Sequence, residues 1–329
     1  MKPFLVALGL LIIASLTIGP ASLNWQAFLS SPFSGVEDRL SAVIVELRLA
    51  RTLLSVMTGA ALAVGGAVMQ GLFRNPLAEP GLVGVSAGAA LGAVMVMVIG
   101  LSGALWIGMA GFLGALLATG VAWQLAKGQP GSAGLLLAGI AINALVLSVI
   151  SLLISLASDQ QLRSITFWSL GSMTRTPLLV VLVLMPWVAM CLWALFRQWP
   201  ALNALLLGES QAEQVGVPVG RMRLFLVVVM ALMVGPLVGF TGAISFVGLL
   251  VPQLLRRWRG SDHQALLPLT AVVGAIAVLG ADLLSRVLVA PAELPIGVVI
   301  SLIGAPLFLW LLRRSLNQSP SEPQISSTR

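Results

Sequence analysis

Residues 84–92 read GVSAGAALG, and two incompatible folds follow from them. Gly84, Ser86 and Gly88 spell G-x-S-x-G, the turn that exposes a nucleophilic serine at the top of an α/β sheet. Gly84, Gly88 and Gly92 are also spaced four apart, the small-xxx-small pattern by which membrane helices approach closely. The flanks decide between them. Leu82-Val83 and Ala89-Ala90-Leu91 continue an apolar run that lipid accepts. A serine nucleophile needs a base, and the chain has one histidine, His263, in the polar stretch RRWRGSDHQ (256–264). That loop lies far along the chain from the helix carrying Ser86. Ser86 is therefore read as a packing residue, and no catalytic residue is assigned.

Composition supports the membrane reading. Of 329 residues, 58% are hydrophobic and 9% charged, against about 25% charged in a soluble domain. Too little polar surface remains to cover a water-soluble globule. Apolar runs of spanning length fall near residues 4–20, 50–70, 82–100, 104–126, 133–156, 177–197, 222–240, 244–258, 265–287 and 295–313. The expected fold is all-α, a polytopic bundle of ten transmembrane helices. The transmembrane domain covers 1–315, and the Pro/Ser-rich tail 316–329 is read as a disordered cytoplasmic extension. Lys2 followed by an apolar run resembles a signal peptide, with Pro20-Ala21-Ser22 as a cleavage flank. The length of that run favours an uncleaved first span.

An even number of spans puts both termini on one side. With that side inside, twelve of the eighteen Lys and Arg fall at inner ends, as the positive-inside bias requires. Six fall outside: Arg39, Arg48, Arg51, Arg163, Arg175 and Arg286. Scattered at span ends, the basic residues do not form the stripe that nucleic acid needs. The chain therefore reads as a bilayer protein with both termini cytoplasmic and no nucleic-acid partner.

Other chemistries lack their parts. There is no H-E-x-x-H, no metal-ligand cluster and no P-loop, and the single cysteine, Cys191, excludes an internal disulfide. Asp282 lies within a span with no second intramembrane acid to meet, and Arg286 four residues on is its natural partner.

Three polar segments stand out. In Trp199–Arg223, Ser210-x-x-Glu213 has the form of a capping box. It predicts a short inner helix starting near Gln211, ended by a left-handed Gly216 and stopped by Pro218. Such a helix offers a docking surface to a soluble partner. Arg48 and Arg51, one turn apart, and Arg286 form an outer basic set suited to an acidic partner. Arg74–Gly81 (RNPLAEPG) reads as a stiff, non-helical connector, and Ala292–Pro295 (AELP) as a similar one on the opposite side.

Four stretches together carry a family resemblance: GAVMQGLFRNPLAEPGLVGVSAGAALG (66–92), LLLGESQAEQVGV (205–217), GAISFVGLLVPQLLR (242–256) and APAELPIGVVISLIGAPLFLWLL (290–312). In order and content they resemble the permease subunit of the ferric-siderophore, haem and cobalamin ABC importers, the FecCD-like type II importers, from about Leu47 to Leu312. The resemblance implies ten helices, a second copy of the same chain with the cargo path between the copies, and a place in the bacterial inner membrane. It also implies two cytoplasmic ATPase subunits, which hold the ATP and magnesium, and a periplasmic substrate-binding protein. This chain would then bind no cofactor. Leu207, Gly208, Glu209, Ser210, Glu213 and Gly216 match the helix that couples to the ATPase. Arg48, Arg51 and Arg286 match the arginines that meet acidic residues of the binding protein. Gln253 stands where many relatives have histidine. LRSITFWSLGSM (162–173) and DLLSRVLVAPAELPIG (282–297) resemble haem permeases, so haem is the expected cargo, with ferric siderophore and cobalamin as alternatives. The chain lacks tyrosine, so any ligation of iron falls to the binding protein or to methionine. A channel or secondary transporter is the other class. Such proteins place ionisable residues at the midplane, and Asp282 alone answers to that.

Overall fold

The computed structural model describes residues 1–19, 36–101, 103–128, 131–174 and 176–316, without the side chains of 36–42 and 314–316. Pro20-Ala21-Ser22, Arg175, the Arg39 side chain and all but the start of the 316–329 tail lie outside these residues. All regular structure among them is helical. The helices are α1 (Lys2–Thr17), α2 (Val36–Phe73), α3 (Val85–Val98), α4 (Ala104–Ala126), α5 (Ala133–Ser155), α6 (Asp159–Ser169) and α7 (Leu178–Phe196). They continue as α8 (Trp199–Leu207), α9 (Glu209–Gln214), α10 (Val219–Thr241), α11 (Val247–Arg259), α12 (His263–Val287) and α13 (Ile296–Leu316).

Each of the ten predicted spans coincides with a helix. Seven of these are long and apolar enough to cross a membrane by themselves. The others, α1, α3 and α11, have 16, 14 and 13 residues, or about 24, 21 and 20 Å at 1.5 Å per residue. That is short of the roughly 30 Å hydrocarbon core. Non-helical backbone can complete the depth where protein covers it. Between α10 and α11 the chain is only partly covered: Ser172 N–H donates to Thr241 O at 2.8 Å and Ile244 is buried, but Ala243 and Ser245 are exposed. Gly242 and Phe246, both at positive φ, redirect the chain there.

Helix α2 is central, packed against α1, α7, α8, α10, α11 and α12. Its seams are built on facing glycines. A Cβ on Gly59 would strike the Gly274 carbonyl of α12, and one on Gly66 the Gly248 carbonyl of α11. Gly88 of α3 meets Gly114 of α4 in the same way. Lipid offers no hydrophobic drive between helices, so close backbone approach must supply the attraction.

The opening stretch divides accordingly. Gly88 and Gly92 pack α3 against α4, where added Cβ atoms would meet the Gly114 and Ala110 carbonyls. Gly84 is corrected: it is not an in-helix packing glycine. It precedes α3 at φ +89°, closing the 3-10 turn Pro80–Val83, and Ala118 O would lie at an ordinary 3.5 Å from its Cβ. The reason is backbone: the turn needs a left-handed residue, and glycine adopts that φ without strain. Gly84→Ala is expected to cost about 1–2 kcal/mol, from φ alone, read as a lower thermal midpoint in detergent. The 3-10 turn also modifies the predicted connector, which is non-helical only as far as Glu79.

Two helices were not anticipated as spans or loop elements. Helix α6 opens on a formed capping box: Ser158 N–H donates to Gln161 Oε1 at 2.9 Å, and Gln161 N–H to Ser158 Oγ at 3.5 Å. Helix α8 fills the start of the inner loop.

The packing sorts the polar segments to two ends. Phe4 stacks edge-on with Trp258 at 5.7 Å, and Arg257 donates to Leu311 O at 3.2 Å. Both ends of the described chain therefore lie with the arginine-bearing end of α11. Helix α8 packs on α12 and α2, where Asn203 reaches Asp262 and His263, at that same end. The two ends of the described chain share a side, as an even number of spans requires.

Candidate functional site

At the opposite end, Arg48, Arg51 and Arg286 come together, though not as an exposed patch. Their exposures are 7%, 8% and 3%. Arg51 Nε donates to Asp282 Oδ1 at 2.7 Å, and its NH1 to Glu293 Oε2 at 2.7 Å. Arg286 donates to Asp282 Oδ2, one turn back on α12, as the i,i+4 spacing predicts. It also reaches the Ser15 carbonyl at 3.0 Å and the Ser15 hydroxyl at 3.1 Å. Ser15 Oγ lies 2.7 Å from Thr52 Oγ1, which fixes α1 in the bundle. Arg48 donates to the Leu16 and Thr17 carbonyls at 3.1 Å each. It thus satisfies orphan acceptors at the end of α1 and complements its dipole.

A guanidinium buried without a partner would be very costly, so the cluster needs its two acids. Asp282 is fully buried between two arginines. Glu293, with a side chain 34% exposed, sits in the connector ahead of α13. An opening of about 220 Å³ reaches this cluster, lined by Gly19, Ile44, Leu47, Arg48, Arg51, Thr174, Arg286 and Glu293. A carboxylate entering it would face three guanidiniums and compete with Glu293 for Arg51. The sequence pointed to the three arginines and to the Asp282–Arg286 pair. The role of Glu293 was missed; its AELP setting marks a turn and nothing more.

At the inner end the expected coupling residues fall on α8 and α9. Leu207 closes α8, and Gly208, at φ 126°, breaks the chain into α9. The predicted capping box is corrected. Ser210 is the second residue of α9, whose N-cap is Gly208, with no side-chain cap. Glycine tolerates the break, so α9 starts at Glu209 rather than near Gln211. Its far end is as predicted. Gly216 takes φ 88°, Val217 N–H donates to Ala212 O and Gly216 N–H to Glu213 O, each at 3.0 Å. This is the Schellman closure. Ala212 is buried while Ser210, Glu213 and Gly216 are exposed, so α9 is held by one face and offers the other.

Two contacts anchor this platform. Glu209 Oε1 pairs with Arg223 NH2 at 2.8 Å. Asn203 of α8 donates to Asp262 at 2.7 Å, a bond that holds the Asp262 carboxyl below its usual range. Asn203 Oδ1 accepts from His263 N–H at 2.9 Å and faces His263 Nδ1 at 2.8 Å. An amide oxygen only accepts, so Nδ1 carries the proton and Nε2 is left to face Arg256 NH2 at 3.4 Å. Both nitrogens of the one histidine are thereby engaged away from Ser86. Gln253 donates to Pro76 O, pinning α11 to the connector without an ionisable group.

A third feature lies on the face of α13. A hollow of about 340 Å³ is lined by Ser169, Leu170, Ala243, Ser245, Gly297, Val298, Ser301 and Leu302. Its walls are small, hydroxyl-bearing or aliphatic. They come from the end of α6, the α10–α11 break and the first turns of α13.

Comparison with known proteins gives a consistent set of matches. The FecCD transport family matches residues 7–314. The hemin transport system permease protein HmuU of Yersinia pestis is 42% identical over 321 residues, 95% of each chain. Vitamin B12 import system permease proteins BtuC are similar too. That of Klebsiella pneumoniae is 41% identical over 83% of this chain and 82% of its own, and that of Salmonella typhimurium 39% over 95% of both. A solved structure described as an inward-facing, metal-chelate type ABC transporter is 30% identical, with a TM-score of 0.85 over 95% of this chain and 98% of that one.

Proposed function

The chain belongs to the FecCD transport family, and from that premise we propose that it is the membrane permease subunit of an ATP-driven importer carrying haem. The observation that carries the importer reading is 42% identity across 95% of a hemin permease, joined to the exposed, one-face-anchored helix α9. In this reading two copies assemble in the bacterial inner membrane with the α8–α9 end in the cytoplasm. Two ATPase subunits, which bind ATP and magnesium, engage Leu207 and the exposed residues of α9. A periplasmic binding protein delivers cargo at the other end and places acidic side chains into the arginine-lined opening. The α13 hollow faces the cargo path between the copies. Small walls suit that task, because a path must bind weakly enough to release.

The haem reading rests on the 162–173 and 282–297 stretches, since 42% identity to the hemin permease and 39–41% to the vitamin B12 permeases do not separate the two cargoes. Uptake into liposomes decides the cargo. This chain, its ATPase and matching binding proteins are offered haem, a ferric siderophore and cobalamin. ATP-dependent uptake of haem alone is the expected result. Uptake of another cargo moves the assignment within the family, and uptake by this chain without ATP removes the importer reading.

The docking role has its own test. Arg48→Ala removes a guanidinium from the opening and leaves the bonds to Asp282 intact. Binding-protein affinity is expected to fall about tenfold, the scale of a lost interfacial charge contact. Equal affinity in the variant, measured on folded protein in nanodiscs, removes the arginine cluster from the docking surface.

A further inference from the structure

Arg223 lies in the second turn of α10 and joins two segments far apart in the chain. Its NH2 pairs with Glu209 Oε1 at 2.8 Å, and its NH1 donates to the Gly131 carbonyl at 2.9 Å. Glu209 is the first residue of α9. Gly131 immediately precedes Ser132, the N-cap of α5. The second carboxylate oxygen lies near the same turn, since a Cβ on Gly131 would sit 3.9 Å from Glu209 Oε2. The Arg223 side chain is 12% exposed, and its Nε is buried without a partner. The two terminal nitrogens therefore carry the link. Helix α5, which follows Gly131, packs on α3 and α4 and leaves Leu137, Ile140, Leu145 and Leu152 exposed along it.

We propose that Arg223 is a positioning residue that ties the ATPase-facing helix α9 to the turn ahead of α5, so that displacement of α9 is passed directly to α5. The proposal rests on the reading of α9 as the ATPase-facing element. A planar guanidinium can hold a carboxylate on one nitrogen and a carbonyl on the other, which a single ammonium on a shorter stem cannot reproduce. Motion of α9 then moves a helix with a free face, without first deforming the close-packed α2 seams. Arg223 touches no cargo and no nucleotide in this scheme. Its effect is on how much transport each hydrolysis event yields.

The test compares wild type, Arg223→Ala and Arg223→Lys in the full complex in liposomes, with ATP hydrolysis and haem uptake measured together. Both variants are expected to assemble and hydrolyse ATP, with uptake per ATP falling about tenfold, within the usual range of coupling between sites. Parallel loss of hydrolysis and uptake would mark a purely structural residue. Full recovery by lysine would show that charge alone suffices. Either result, or an unchanged ratio, overturns the proposal.

A second measurement needs neither ATPase nor cargo. Spin labels at Ser132→Cys and Glu213→Cys, in a Cys191→Ser chain diluted with unlabelled copies in nanodiscs, report the distance between the two segments. A narrow distribution that broadens in Arg223→Ala supports the link, and an unchanged one overturns it. Failure of the importer reading shows separately, as a wild-type complex that takes up none of the three cargoes.

Discussion

Asp282→Asn is expected to be among the most destabilising single changes in this protein. The side chain keeps its shape, but two guanidiniums lose the charge that justified their burial. Asp282 is fully buried, bonded to Arg51 and to Arg286. Removing one member of such a set costs about 3–5 kcal/mol, because the remaining charges stay desolvated and unpaired. The midpoint of thermal unfolding in detergent should fall by about 10 °C. Glu293→Gln is the comparison. Its partner is the same Arg51, but its side chain is 34% exposed, so water can replace the lost contact and the cost is about 0–1 kcal/mol. Equal effects of the two changes would mean that Asp282 does not anchor the cluster. Arg51→Met, Asp282→Leu and Arg286→Met made together should recover most of the stability, since Asp282 is removed with both of its buried partners and the remaining Glu293 is partly exposed. That triple variant should still fail to dock the binding protein, which separates the stabilising role of the cluster from its proposed role in docking.

Gly66→Ala is the second large effect expected. A Cβ there would fall on the carbonyl of Gly248 and its neighbouring backbone atoms. Backbone cannot rotate aside as a side chain can, so α2 and α11 must separate. Overpacking of this kind costs about 1–3 kcal/mol. Here the same seam also carries the bonds from Gln70 to the Gly248 and Leu249 carbonyls and from Arg256 to the Ala67 carbonyl, which lengthen together. Gly120→Ala and Gly280→Ala are matched controls within α4 and α12, with no atom within 4 Å of the added methyl. They should be neutral or gain up to about 1 kcal/mol from helix propensity. Unfolding midpoints of the four proteins check the set. A Gly66→Ala midpoint equal to those of the controls would deny that the seam is backbone-limited.

These cases also show how far local sequence reaches. Gly66, Gly120 and Gly280 look alike on paper, each a glycine inside an apolar run. Gly84 looked like Gly88 and Gly92, yet it serves a turn rather than a seam. Ser210 and Glu213 carry the letters of a capping box that does not form, while Ser158 and Gln161, at the same spacing, do form one. A cap is decided by which residue leaves the helical conformation, and at Gly208 the chain leaves it two residues before the box.

What the sequence alone determined was whatever has a short period or a one-body cost. Apolar runs located a helix at each of the ten predicted spans, because the expense of polar groups in lipid acts residue by residue. An even count of spans put the two ends of the chain on one side. The spacing of four paired Asp282 with Arg286, since a helix brings such residues onto one face. What only the tertiary structure decided was every contact between segments. Arg51 meets Asp282 across 231 positions and Glu293 across 242, and Arg223 bridges Glu209 to Gly131. No local period encodes such pairs. They depend on which helix faces which, set by the close approach of facing glycines, and a buried charge finds its partner only after that packing is fixed.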